Sequence, residues 1–341
     1  MAFDNIRLEK GMYRESGKTF TQVLEALDPS ETYRGTHLEN TDAFQRQLKR
    51  FGIACKGPNS SPVEKFFTTF QSAVLFPEYV ARCVRQGMNE NNILPAICAT
   101  TSVIDAMDYR AIYSIPSEDE KSLKSVGEGA TIPATTIRLK ENLIPLHKRG
   151  RLLVASYEAI RFQKLDVFSV TLRQIGTQIQ KLHVADAVDV LKNGDGNNNA
   201  ASTYAIGTSP MGGTSGTLTY DQLVEFWAQF DPYEMNTMIA PTGSFLSILK
   251  LDELQNPLTG LNFQGTGKLE NPLGAQLLRC DAVTAGTILG LDRRYALEMV
   301  QAGEVCVEFD KLIDRQLERA AISSITGFAK ICDKASASLT I

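Results

Sequence analysis

Asp166–Leu191 reads DVFSVTLRQIGTQIQKLHVADAVDVL, and shortly ahead of it Val126–Ser156 reads VGEGATIPATTIRLKENLIPLHKRGRLLVAS. The order of these two stretches decides the fold. In the first, Phe168, Leu172, Ile175, Ile179 and Leu182 recur at alternating spacings of four and three, which lines one side of a helix with apolar groups. Such a helix is close to 40 Å long at about 1.5 Å per residue. Asn193-Gly194 ends it, because glycine takes the left-handed cap conformation without steric cost. A coiled coil is the obvious rival, but the next two seam positions are Asp186 and Asp189. The helix is therefore expected to pack on a sheet of its own domain. The Val126–Ser156 stretch reads as extended chain with few buried-type faces, joined to the helix by a short helical piece over Tyr157–Gln163. A strand pair too polar for a core hairpin needs a partner elsewhere, which points to a subunit built for assembly.

A chain of 341 residues with 43% hydrophobic and 22% charged content has enough material for one large or two smaller globular domains. The net charge is -4, and no basic block exceeds Lys148-Arg149 with Arg151, which argues against extended phosphate binding. Cys55, Cys83, Cys98, Cys280, Cys306 and Cys332 are scattered without a close pair. That spacing suits free core thiols in a reducing cytosol better than zinc or a disulfide scaffold. The start MAFDNIRLEK has no apolar signal region, and no apolar run approaches the ~20 residues of a membrane span. A cytoplasmic origin is expected.

Working outward, residues 1–62 offer one helical segment, Phe20–Leu27, and end in the breaker run Gly57-Pro-Asn-Ser-Ser-Pro62. They look too poor in apolar residues for a core of their own, and so read as an arm lying on something else. Val63–Gln86 is helical in pattern with a break or kink expected at Pro77. Ile93–Thr101 and Ala111–Ile115 read as strands. From Leu218 onward the pattern is ordinary mixed structure: helices Tyr220–Phe230 and Ser244–Leu249, and strands near Met235–Ala240, Gln276–Cys280 and Thr287–Leu291. A loop fills Pro257 to Pro272. The last forty residues alternate as a returning sheet, interrupted around Lys311–Arg319. Trp227, beside Phe226 and Phe230, reads as core.

The search for chemistry finds near-misses. Gly11-Met-Tyr-Arg-Glu-Ser-Gly17-Lys18-Thr19 has five residues between its glycines where a phosphate loop needs four, and no strand before it. Asp195-Gly-Asn197-Asn-Asn199 starts like a calcium loop, but Ala200 and Ile206 stand where glycine and a bidentate glutamate belong. It reads as a solvated turn. His37, His147 and His183 lack partners at metal-ligand spacing, and no nucleophile elbow is present. No catalytic, cofactor-binding or metal-binding residue is assigned, and no cofactor is expected.

The chain resembles the major capsid proteins of tailed bacteriophages of the Hong Kong 97 type from about Val63 onward. The resemblance rests on Phe76-Pro-Glu-Tyr-Val80, Val126-Gly-Glu-Gly-Ala-Thr-Ile-Pro133, Ser156-Tyr-Glu-Ala-Ile160, Asn193-Gly-Asp-Gly196 and Tyr233-Glu-Met-Asn236, in that order around the long helix. It implies an α+β fold: residues 1–62 an N-terminal arm, 63–104 the first part of a peripheral domain, and 105–156 an extended β loop lying over the adjacent subunit. Residues 157–217 would continue the peripheral domain with its spine helix, 218–300 form the axial domain, and 301–341 return to the peripheral domain. The implied function is self-assembly, through pentamers and hexamers, into the icosahedral shell of a virion. That shell encloses DNA without sequence-specific binding and without a membrane. With only about sixty residues ahead of the matching part, scaffolding is expected from a separate protein. A portal and decoration proteins are further expected partners. An encapsulin-type compartment shell and a soluble α/β enzyme are the alternatives.

Some such shells are welded by joining a loop lysine to an asparagine in the returning segment of a neighbour. Lys121 and Lys124 could supply the amine, but no asparagine follows Asn271. Without the amide no ammonia can leave, and a carboxylate is a poor acyl donor. Boiled particles should therefore run as one band near the 37.5 kDa subunit mass. A ladder of pentamer- and hexamer-sized species resistant to reductant would refute this.

Overall fold

The structure, a computed structural model, describes residues 2–14, 17–113, 125, 126, 128, 138–156, 158, 163–255, 272–303, 305–312 and 317–341. Along the chain run helices α1 (Phe20–Leu27), α2 (Ala43–Arg50), α3 (Phe70–Glu90), α4 (Leu94–Ile97), α5 (Leu165–Asn193), α6 (Tyr220–Ala228), α7 (Thr242–Leu249) and α8 (Asp252–Gln255). The strands are β1 (Thr100–Ile104), β2 (Ile112–Tyr113), β3 (Arg138–Leu139), β4 (His147–Ser156), β5 (Ser202–Ala205) and β6 (Thr237–Ala240). They continue with β7 (Gln276–Arg279), β8 (Thr287–Leu291), β9 (Leu297–Ala302), β10 (Cys306–Leu312), β11 (Leu317–Lys330) and β12 (Ser336–Thr340). The fold is mixed helix and sheet, as expected. Two compact units share this chain.

The first unit comprises Met1–Asn91, Arg149–Gln180 and Glu304–Ser324. Its helices start on reciprocal caps: Thr19 Oγ1 accepts from Gln22 N while Thr19 N donates to Gln22 Oε1, and Asp42 and Gln45 repeat the arrangement for α2. The reading of residues 1–62 as a coreless arm with one helix is corrected here. Leu8, Met12, Phe20, Leu24, Phe44, Leu48 and Ile53 share one core with Phe66, Leu75, Val80, Leu165 and Leu172. What the arm lies on, then, includes its own chain. α2 escaped notice because its buried residues include Arg46 and Gln47, which a count of apolar periods cannot see.

Arg46 is the hub of that region and is wholly buried. Its Nε lies 2.5 Å from Asp28 Oδ2, one Nη donates to the Asp28 carbonyl at 2.6 Å, and the other to the Thr41 carbonyl at 2.5 Å. The guanidinium sits 4.3 Å over the Tyr33 ring, and Tyr33 Oη donates to Asp28 Oδ1 at 2.7 Å. Each polar atom named is satisfied, which makes burying the charge tolerable.

Pro77 does not divide α3. The break falls at Thr68–Thr69, where Thr69 caps the helix through Ser72. A proline inside a helix costs about 3 kcal/mol. Val74, Leu75, Phe76, Tyr79 and Val80 around it are all buried, and each large apolar side chain returns about 1.5–3 kcal/mol, so burial wins.

α5 starts one residue earlier and ends two later than the sequence pattern suggests, and Gly194, at φ 87°, ends it as expected. Phe168, Leu172 and Ile179 are buried and Ile175 is half-buried. They share a core with Ile322 of β11, as the sheet-packed reading expects, and this half of α5 also crosses α3 at a pair of glycines. A Cβ on Gly87 would stand 2.1 Å from the Arg173 carbonyl oxygen, and one on Gly176 would stand 2.1 Å from that of Val84. Thr177 Oγ1 donates to the Gly87 carbonyl at 3.1 Å across the contact. β10 and β11 pair antiparallel from Cys306↔Ser323 to Leu312↔Leu317, and β4 pairs with β11. The expected interruption at Lys311–Arg319 falls partly outside the described residues.

The second unit comprises Asn92–Lys148, Lys181–Gly303 and Ile325–Ile341. Its larger sheet has the order β5-β12-β8-β6-β7, with β12 parallel to β5 and antiparallel to β8. The last strand and β5 therefore join the sheet of residues 237–291, which corrects their assignment to the peripheral portion. β8 is buried throughout, and Gly290 lets Phe226, Phe230 and Met235 pack against it, since a Cβ there would meet all three within 3 Å. Trp227, expected in the core, is 47% exposed, because the buried side of α6 runs through Leu223 and Phe226. In the C-terminal half of α5 the buried residues are His183, Val184, Ala187, Val188 and Leu191, so Leu182, placed on the stripe by spacing, is exposed. β9 pairs parallel with β1 and antiparallel with the second half of β11. The strand expected at Ile93–Thr101 begins only at Thr100: Pro95 suits a first helical turn, and Leu94–Ile97 forms one.

Candidate assembly site

The extended segment expected over 105–156 is described chiefly at its two feet. The upper part of that segment, with Lys121 and Lys124, lies outside the described residues, as does most of the helical piece at 157–163. At the root, β2 and β3 pair antiparallel through Ile112↔Leu139 and Tyr113↔Arg138. Lys140 N then donates to the Ala111 carbonyl and Ile144 N to the Tyr109 carbonyl, both at 2.9 Å. Ile144 is buried against Ala111 and Ala329. On the other side, Tyr109 Oη donates to Glu298 Oε1 at 2.7 Å, and Ser102 Oγ donates to the same oxygen at 2.5 Å.

Beneath this root lies a buried charge cluster that the sequence did not suggest. Lys140 is 3% exposed, and its Nζ reaches Asp195 Oδ2 at 2.9 Å and the Lys330 carbonyl. Asp195 Oδ2 also accepts from Lys330 N at 2.9 Å, while Oδ1 accepts from Asn197 Nδ2 at 3.0 Å. Asn199 Oδ1 accepts from Asp195 N, and Asn142 Nδ2 donates to the Gly196 carbonyl. The turn expected to be solvated at 195–199 keeps Gly196 and Asn198 exposed but buries Asp195 and Asn199 as an anchor. Gly194 and Gly196, both near φ 88°, curl the chain so that the carboxylate points inward. The Asp-Gly-Asn pattern is the signal the sequence carries, and here it serves a lysine rather than a metal. Burial pushes the Asp195 carboxyl up, but the hydrogen bonds from Lys140, Asn197 and the Lys330 amide outweigh it and hold the group below the usual range.

β4 carries Leu152 and Val154 exposed, and the root region adds Val103, Met107, Ile112 and Leu139. Among the described residues these apolar groups have no cover, which suits surface that meets a partner. β4 itself corrects one expectation, since it already pairs with β11 of its own chain, where Gly150 lies against the Ile322 carbonyl.

The near-misses remain scattered. Gly11 sits in a 3-10 turn, Lys10–Arg14. His37 and His147 are exposed, the latter 3.4 Å from Asp186, and His183 is buried. Cys83 and Cys280 are buried, and burial pushes the thiols of Cys55 and Cys98 up to about 12, away from reactive thiolates. Among the described residues no cluster of potential ligands could hold a metal ion, and no helix is long and apolar enough to cross a membrane.

A family described as phage capsid protein matches residues 140–305. That match begins at Lys140 and contains Asp195. No curated protein sequence matches the chain. Among solved structures, the capsid of the native GTA particle is similar over 73% of this chain and 89% of its own, with a TM-score of 0.54 and 14% identity. The capsid of the empty GTA particle gives 0.53 at 15% identity, over 74% of this chain and 90% of its own. A chain of Microbacterium phage Oxtober96 gives 0.51 at 13% identity, over 74% and 91%. At such identities the likeness establishes the fold. The chain is thus similar in sequence to the phage capsid family over residues 140–305 and shares the fold of capsid subunits along most of its length.

Proposed function

We propose that this chain is the major capsid protein of a tailed phage, associating with copies of itself through pentamers and hexamers into an icosahedral shell. The observation that carries this is the family match over residues 140–305 on a chain with the capsid fold. The uncovered apolar groups at the root of the extended segment and on β4 supply surface for neighbours. A net charge of -4 suits a wall that encloses DNA without gripping it. In this reading 63–104, 157–217 and 301–341 serve the peripheral domain and 218–300 the axial domain, with β5 and β12 reassigned to the axial sheet. Residues 105–156 lie over the adjacent subunit. A separate scaffold, a portal and decoration proteins complete the particle, which is assembled in the host cytoplasm.

Negative-stain microscopy of the recombinant protein tests the reading: shells, tubes or capsomer rings are expected, and a small compact oligomer would refute it. The part played by the extended segment is tested by replacing residues 114–137 with a short Gly/Ser turn, which spares Lys140 and Ile144. The variant should remain folded by circular dichroism and form no shells. Intact shells on sedimentation would remove the segment from the assembly mechanism.

A further inference from the structure

Lys330 ends β11 directly under the root of the extended segment. Its backbone is engaged on both sides: the amide donates to Asp195 Oδ2, and the carbonyl accepts from Lys140 Nζ. Its side chain is different. Lys330 is fully buried, and Nζ has no hydrogen-bond partner among the described residues. The charged groups facing it are Asp333, Asp195 and Lys140, and the Asp195 carboxylate is already taken by Lys140 and the Lys330 amide. A buried ammonium without an acceptor costs free energy that its neutral form avoids.

From this geometry we infer that Lys330 is a charge-controlled catch: neutral, it lets the foot of the extended segment close on β11; charged, it favours opening. The catch acts on the subunit itself and does not depend on the capsid reading, which the particle test addresses separately.

Burial pushes the Lys330 ammonium down to about 8 from 10.5, against the pull of Asp333 and Asp195. Burial likewise raises the Asp333 carboxyl. An opened, hydrated foot would return the lysine to its ordinary value. Between about pH 8 and 10.5 the open form therefore binds more protons than the closed one, so closure strengthens as pH rises and is flat below about pH 8.

Amide exchange of the full-length unassembled subunit reads this directly. Lys140 N and Ile144 N, held by the Ala111 and Tyr109 carbonyls, should be about tenfold better protected at pH 9.5 than at pH 7.5 after correction for intrinsic rates. Lys330→Met should abolish the difference and give the high-pH protection at pH 7.5. Asp333→Asn removes a favourable charge and should shift the midpoint to lower pH, which a purely packing role for the residue would not do. Equal protection of the wild type at both pH values, a pH dependence surviving in Lys330→Met, or an unmoved midpoint in Asp333→Asn would each overturn the inference.

Discussion

Gly176→Ala is expected to destabilise the subunit by about 2–3 kcal/mol, although alanine is the better helix former by about 1 kcal/mol. The methyl would stand 2.1 Å from the Val84 carbonyl oxygen and 3.0 Å from Met88 N. Both are main-chain atoms, so no side chain can swing aside, and α3 and α5 must separate. Gly87→Ala meets the Arg173 carbonyl in the same way and should cost a similar amount. The double variant should cost less than the sum, because one separation relieves both clashes. Gly243→Ala is the control: that residue lies in α7, where an added methyl would meet nothing within 4 Å, and the change should be neutral or slightly stabilising. Urea unfolding followed by circular dichroism measures all four variants. A loss below 0.5 kcal/mol for Gly176→Ala would show that the helices are not in main-chain contact.

Arg46→Met should cost about 3–5 kcal/mol, because it leaves the Asp28 carboxylate buried with Tyr33 as its remaining side-chain donor. Against a typical total stability of about 5–15 kcal/mol, that is enough to deplete soluble protein. Asp28→Asn in the same background removes the stranded charge and should recover part of the loss. The recovery distinguishes an electrostatic penalty from lost packing. Limited proteolysis should show the effect first between residues 28 and 50, where the hub fastens α2 to the preceding turn. A loss under 1 kcal/mol for Arg46→Met would mean that water reaches Asp28.

How much of this was legible in the sequence follows from which forces leave a periodic trace. α5, α1 and β8 were placed within two residues because their buried faces are apolar and regularly spaced. The family resemblance rested on short segments around that helix, and the match over residues 140–305 bears it out. What escaped was burial achieved through polar groups: Arg46 in α2, and Lys140 with Asp195 beneath the extended segment. Such pairs look like ordinary surface residues until the partner, 55 positions away for Lys140, is brought alongside. Glycine was the other silent signal. Gly87 and Gly176 look like weak points in helices, yet they let α3 and α5 meet main chain to main chain. Leu182 and Trp227 erred the other way, because spacing alone does not say where the covering surface stops.

The placing of β12 between β5 and β8 has a kinetic consequence. Among the described residues β5 has no other strand beside it, and its partner arrives 135 residues later, at Ser338 against Thr203. During synthesis, β8 can pair with β6 as soon as it emerges, but its other edge stays open until β12 follows. At roughly 5–20 residues per second the roughly fifty residues from β8 to β12 take several seconds to appear. For that interval a nascent subunit carries an unpaired edge on a fully buried-type strand, a template for wrong pairing with its neighbours on the same message. The concentration of ribosomes making this protein, rather than the stability of the finished fold, then sets how much of it is lost to aggregation.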